Sequence, residues 1–134
     1  GGEAVVYLDA ALAQRAKYVR KMVNQLPSRM RFVAAQVNAL LDDDLWIKGA
    51  QHSNQMALQL YEATRHIPGV EFDHAPQVNS LFPQLPADAI AALCDWCFFW
   101  DWDISRRQVR WMTAWDTTAD DVDRFAAGVR HLLG

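Results

Sequence analysis

The spacing of apolar residues divides the chain into a helical first half and a second half with more strand character. The run "AVVYL" (4–8) is continuous, β-branched and aromatic, and it predicts a short strand buried on both faces. Asp9 then caps a helix through "DAALAQRAKYVRKMVNQL", in which Leu12, Ala16, Val19 and Val23 fall near helical spacing. "LPS" (26–28) breaks that helix. Ser28 is the expected cap of a second helix over 29–41, whose stripe is Phe32, Val33, Val37, Leu40 and Leu41. "DDD" (42–44) sits where a third helix starts, the end at which carboxylates suit the macrodipole. This helix runs to about Arg65, with Leu45, Met56, Leu60 and Tyr61 on its buried side, and "IPGV" (67–70) stops it.

After Gly69 the texture changes. "VEFDH" and "VNSLFPQL" alternate at period two, and "PADAIAALCDW" is a short helix that can start at Pro86 or Ala87. "CFFWDWD" predicts an aromatic strand, "ISRR" a turn and "QVRWMTAW" its hairpin partner. Thr118 followed by Asp121 forms a capping box for a last helix, with Val122, Phe125, Ala126, Val129, Leu132 and Leu133 at helical spacing. The order β-α-α-α-β-β-α-β-β-α places the chain in the α/β class. A boundary is expected near residue 45, between segments 1–45 and 46–134.

Composition narrows the field. The 134 residues suit one domain, and 51% hydrophobic with 22% charged residues excludes a disordered chain. A net charge of −3 argues against sequence-independent nucleic-acid binding. No apolar run approaches the roughly 18 residues of a membrane span, and no signal peptide is visible. Two cysteines make no secreted disulfide framework, so a reducing cytoplasm is the expected compartment. The chain opens on "GGEAVVYLD" without a methionine, straight into an apolar run, as if from the middle of something longer.

Candidate chemistry is sparse. "CDWC" (94–97) has the spacing of a redox pair or half a zinc site, but no second pair completes the four ligands. A redox pair wants a helix N-terminus, whereas Cys94 falls at a helix end and Cys97 in a strand, so both are expected in the core. His52, His66, His74 and His131 show no metal-ligand spacing and read as surface or capping residues. The "WCFFWDW" cluster reads as core or interface, with Asp101 and Asp103 on the solvent face or paired with Arg106 and Arg107. Arg20, Lys21, Arg29 and Arg31 gather around one turn. They are either a solvated helix end or an anion site, most simply for phosphate.

Arg110 poses the sharpest question. In "VRWMTAWDTT" (109–118), Val109, Trp111 and Thr113 face one way and Arg110, Met112 and Ala114 the other. A permanent cation on a face with Met112 and Ala114 needs an anion, or it carries several kcal/mol of desolvation. No acid shares its short strand.

"GGEAVVYLDAALAQRAKYVRKMVNQLPSRMRFVAAQ", "VEFDHAPQVNSLFPQLP" and "VRWMTAWDTTADDVDRF" together resemble the C-terminal part of the low-specificity L-threonine aldolases. These are pyridoxal-phosphate enzymes of the aspartate-aminotransferase-like fold (fold type I) in the β-eliminating-lyase superfamily. The resemblance covers nearly the whole chain. It implies that 1–45 is the end of the large cofactor-binding domain and 46–134 the small C-terminal domain, helices followed by a small antiparallel sheet with flanking helices.

The resemblance also implies an activity: cleavage of a β-hydroxy-α-amino acid of threonine, allo-threonine or phenylserine type to glycine and an aldehyde. In the family the Schiff-base lysine lies in a Thr-Lys-Asn-Gly stretch a few residues before Gly-Gly-Glu-Ala. Here that motif is residues 1–4, and Lys17, Lys21 and Lys48 do not match the lysine. The chain alone is therefore expected to be inactive, with the N-terminal part of the enzyme as its partner and a homo-oligomer, a tetramer in the family, as its assembly. No metal site is implied.

Three positions carry over. Arg110 matches the arginine that clamps the substrate α-carboxylate, and Lys21 and Arg31 match a region near the cofactor phosphate. The chain departs from the family in "NQLPS", where many members have a short glycine run, and after Arg110, where many have Thr-His but here Thr113 is followed by Ala114 and Trp115. The alternatives are a non-catalytic α/β oligomerisation or binding module, or a pyridoxal-phosphate β-eliminating lyase.

Overall fold

The structure is a computed structural model that describes residues 4–134. Gly1, Gly2 and Glu3, most of the Gly-Gly-Glu-Ala motif, lie outside the described residues. The chain divides into two compact units, Gly1–Trp46 and Ile47–Gly134.

The first unit is a pair of helices, α1 (Ala10–Met22) and α2 (Met30–Leu41), followed by a 3-10 turn at Asp42–Asp44. Asp9 caps α1 as its sequence predicts, its carboxylate accepting from the Ala11 amide at 2.7 Å. Ser28 does not cap α2. The N-cap position falls on Arg29, one residue later, and no side chain serves it. The predicted strand at 4–8 does not form either. Residues 4–8 are exposed coil, because a strand needs a neighbour for its amides and none of the described residues pairs with them. Neither helix buries a residue, and Leu12, Val19, Val23, Phe32, Leu40 and Leu41 are all exposed.

The second unit carries the core. It takes in α3 (Leu45–Thr64) from Ile47 onward, and Ser53, Met56, Ala57, Leu60 and Thr64 of that helix are buried. Met56 and Leu60 take the predicted inner positions, but Leu45 is exposed because it precedes the packed stretch. Gly69 ends the turn after α3 at φ +82°, a left-handed conformation that side chains resist.

The two strands expected over 70–74 and 78–85 shrink to isolated bridges, Glu71 with Gln84 and Gln84 with Gln108, and to β1 (Ser80–Leu81). Pro83 explains the brevity. It has no N–H to extend the ladder, although its carbonyl still accepts from Val109 at 3.0 Å. Helix α4 (Ala87–Trp96) follows, then the hairpin β2 (Trp100–Asp103) and β3 (Gln108–Met112). The sheet is antiparallel in the order β1-β3-β2, with Leu81 opposite Trp111 and Trp100 opposite Arg110. The hairpin turns through Ile104–Arg106, with Arg107 left-handed.

Helix α5 (Ala119–Leu133) has the predicted capping box. Thr118 Oγ1 donates to Asp121 Oδ2 at 2.6 Å and accepts from the Asp121 amide at 3.2 Å. Val122, Ala126 and Val129 are buried, Phe125 and Leu133 partly so, and Leu132 is exposed at the helix end. Trp111 joins the core, with Phe99 and Phe125 meeting it edge-on.

The surface of this unit bears on the remaining expectations. Cys94 is half-buried against the core, but Cys97 is exposed, since it caps the C-terminus of α4 rather than entering a strand. Of the aromatic cluster only Phe99 is buried, while Trp96, Phe98, Trp100 and Trp102 are more than half exposed. Asp101 is exposed, which agrees with the solvent-face alternative, and among the described residues neither it nor Asp103 forms an ion pair with Arg106 or Arg107; Arg106 takes Asp73 at 2.9 Å. Asp103 turns back to Ser105 at 2.6 Å, and that hydrogen bond holds its carboxyl below the usual carboxylate range.

Candidate functional site

The alternation read in 109–113 places Arg110 on the outer face of the sheet. Val109, Trp111 and Thr113 are buried, Arg110 is half-buried, and Met112 and Ala114 are exposed. β3 is the central strand and is fixed along its length. The Val109 amide donates to the Pro83 carbonyl, and the Thr113 amide donates to the Asn79 carbonyl at 3.0 Å. Asn79 Nδ2 returns a bond to the Thr113 carbonyl at 2.7 Å, and Thr113 Oγ1 donates to the Ser53 carbonyl of α3 at 2.7 Å. This polar knot at the end of β3 escaped the sequence reading. The only signal for it was a threonine on the apolar face of an alternating strand, which a buried hydroxyl tolerates only with an acceptor.

Arg110 has no ion-pair partner among the described residues. Its Nη2 donates to the Met112 thioether at 3.2 Å, and its guanidinium carbon lies 6.0 Å from the centre of the Trp102 ring. Its Nε is buried with no acceptor. A thioether is a weak acceptor and an indole face carries no formal charge, so the positive charge stands uncompensated by an anion. Trp102 in turn rests on Phe82, ring centres 4.8 Å apart, and Trp100 stands across from Arg110 in register. Trp102 as a neighbour of Arg110 was not legible in the sequence, because a register shift between Asp101 and Asp103 decides which residue meets it.

Lys21 and Arg31 lie in the first unit, Lys21 in the last turn of α1 and Arg31 in the first turn of α2. Both are exposed, and neither makes an ion pair among the described residues. The guanidinium of Arg31 lies 4.9 Å from the ring of its neighbour Phe32. Arg31 and the N-cap Arg29 put two cations at a helix N-terminus whose first turn holds no acid. Helix dipoles disfavour cations there, and an anion would offset them.

A cleft of about 170 Å³ in the second unit does not include Arg110. It is lined chiefly by Leu60, Phe98, Phe99, Trp111, Val122 and Phe125. No group of histidine, cysteine, aspartate or glutamate among the described residues could hold a metal ion, and no helix there is long and apolar enough to cross a membrane.

Helices lead into a small antiparallel sheet with an arginine at its face, an α/β arrangement. The arrangement is similar to that of a threonine aldolase of Leishmania major, with a TM-score of 0.62 at 25% identity over 72% of this chain and 29% of that one. In sequence, the chain is a relative of the low-specificity L-threonine aldolases and matches their C-terminal part. It is 36% identical to the enzyme of that name from Pseudomonas aeruginosa over 135 residues, 99% of this chain. It is 34% identical to that of Pseudomonas sp. strain NCIMB 10558 over 134 residues, 98% of this chain. The chain spans 38% of the length of either relative. No family model matches it.

Proposed function

We propose that the chain is the C-terminal portion of a pyridoxal-phosphate aldolase that cleaves β-hydroxy-α-amino acids to glycine and an aldehyde. Its contribution to that site is a carboxylate clamp at Arg110 and phosphate neutralisation at Lys21 and Arg31. The single observation that carries the reading is the unspent charge of Arg110. A guanidinium fixed on a central strand, with a buried Nε that has no acceptor, is a group prepared for an anion that the chain does not supply.

The residues present fit the cofactor in part. Lys21 and Arg31 are exposed cations without partners among the described residues, the donor set that a phosphate requires. The lysine that would hold the cofactor is assigned to the N-terminal part of the enzyme, since Lys17, Lys21 and Lys48 match no such position. When bound, pyridoxal phosphate supplies an electron sink for the charge left at Cα.

The work of this chain is orientation. The planar fork of Arg110 grips a carboxylate through paired hydrogen bonds and so fixes rotation about the neighbouring carbon. With a substrate so held, that rotation would select which bond at Cα is aligned for cleavage. Residues 1–45 are read as the end of the cofactor-binding domain and 46–134 as the small domain, in a cytoplasmic homo-oligomer.

Two measurements test the reading. The chain combined with its N-terminal part should develop pyridoxal absorbance near the visible edge and release glycine and aldehyde from a β-hydroxy-α-amino acid. Release of a keto acid and ammonia instead would assign a β-eliminating lyase. No cofactor absorbance would favour a binding module.

A further inference from the structure

Arg110 is held by groups that orient it without neutralising it. Trp102 is 57% exposed although it is a large apolar ring on an edge strand, and burial therefore does not explain its place. Its ring lies 6.0 Å from the guanidinium carbon of Arg110 and is backed by Phe82 at 4.8 Å. On the same face, Met112 Sδ accepts from Arg110 Nη2 at 3.2 Å. A carboxylate in either position would aim the guanidinium equally well but would consume its charge and its best donors. An indole face and a thioether restrict the side chain and leave both available.

We propose that Trp102 is a positioning residue for the substrate carboxylate, acting through Arg110 with Phe82 behind it. This rests on the reading of Arg110 as the clamp. Trp102 itself need not touch the substrate. Its part is to limit the rotamers of Arg110, so that less freedom is lost when the carboxylate arrives.

The experiment uses the full-length enzyme and compares Trp102→Leu, Trp102→Phe, Phe82→Leu and Arg110→Ala. The readouts are kcat and KM for the β-hydroxy-α-amino acid, the Kd for glycine and the thermal midpoint. Glycine offers the site little beyond its carboxylate and amine, so its affinity reports the clamp. Trp102→Leu should raise KM and the glycine Kd together, by about two- to fivefold, with kcat within about twofold and the midpoint unchanged. Trp102→Phe should restore most of that loss, because a smaller ring face remains. Phe82→Leu should shift both constants in the same direction, which keeps the test decisive if Trp102→Leu folds poorly.

If Arg110→Ala weakens glycine binding while Trp102→Leu and Phe82→Leu leave KM and Kd unchanged, Trp102 has no positioning role although the clamp stands. If Arg110→Ala leaves both constants unchanged, the clamp and this proposal fall together. A fall in the midpoint or in kcat without a change in KM would reduce Trp102 to packing.

Discussion

At the scale of single residues, the side chains that matter are those whose partners break the pattern around them. Asp121 is one. Thr118 donates to it from its hydroxyl and its backbone amide, and Arg124 from its guanidinium, so its carboxyl is lowered to about 2. A carboxylate whose folded pKa is depressed contributes stability that is present above its unfolded pKa near 4 and is lost as pH falls through 2. The thermal midpoint of the wild type should therefore drop between about pH 4 and pH 2 by more than that of Asp121→Asn. Equal pH dependence in the two would show that the capping box is not what titrates. Thr118→Ala should cost about 1 kcal/mol at neutral pH, measured by denaturant unfolding, because it removes the cap for the Asp121 amide.

At the scale of elements, helix α5 meets α4 through an unusual contact. A Cβ placed on Gly128 would run into the Trp96 ring at Cζ3, and that ring stacks on Phe125 at 5.9 Å. In an exposed helix interior, glycine to alanine normally stabilises by about 1 kcal/mol. Here Gly128→Ala should instead lower the midpoint and shift tryptophan fluorescence, since the added methyl drives Trp96 off Phe125. In a Trp96→Ala background the same substitution should turn stabilising. A stabilising effect in both backgrounds would rule out the clash. The sequence showed the last helix and its capping box clearly, because a period of 3.6 and the pair Thr118 and Asp121 are local signals. It showed the faces of 109–113 for a similar reason, since one side of β3 meets the core. It did not show that the run at 4–8 lacks a pairing neighbour, that Pro83 cuts β1 short, or that Trp100 and Trp102 stay in the open. Each of those depends on what lies across the sheet, which no spacing along the chain encodes.

At the scale of the whole molecule, the two units differ in kind. Among the described residues every buried one lies in Ile47–Gly134, while α1 and α2 bury none and leave Leu12, Val19, Val23 and Phe32 exposed. A fragment 47–134 should accordingly unfold cooperatively by circular dichroism, and a fragment 4–46 should show no such transition. The intact chain should self-associate in sedimentation through the apolar surface of its first unit, and a clean monomer would count against that. The C-terminal match to the aldolases and the uncompensated charge of Arg110 support the proposal that this chain brings the carboxylate clamp to a site completed by the rest of the enzyme. The most direct measurement is kcat/KM of full-length Arg110→Ala on a β-hydroxy-α-amino acid. A charged hydrogen bond is worth about 1.5–3 kcal/mol, so the account predicts a loss of about tenfold or more, and unchanged kinetics would contradict it.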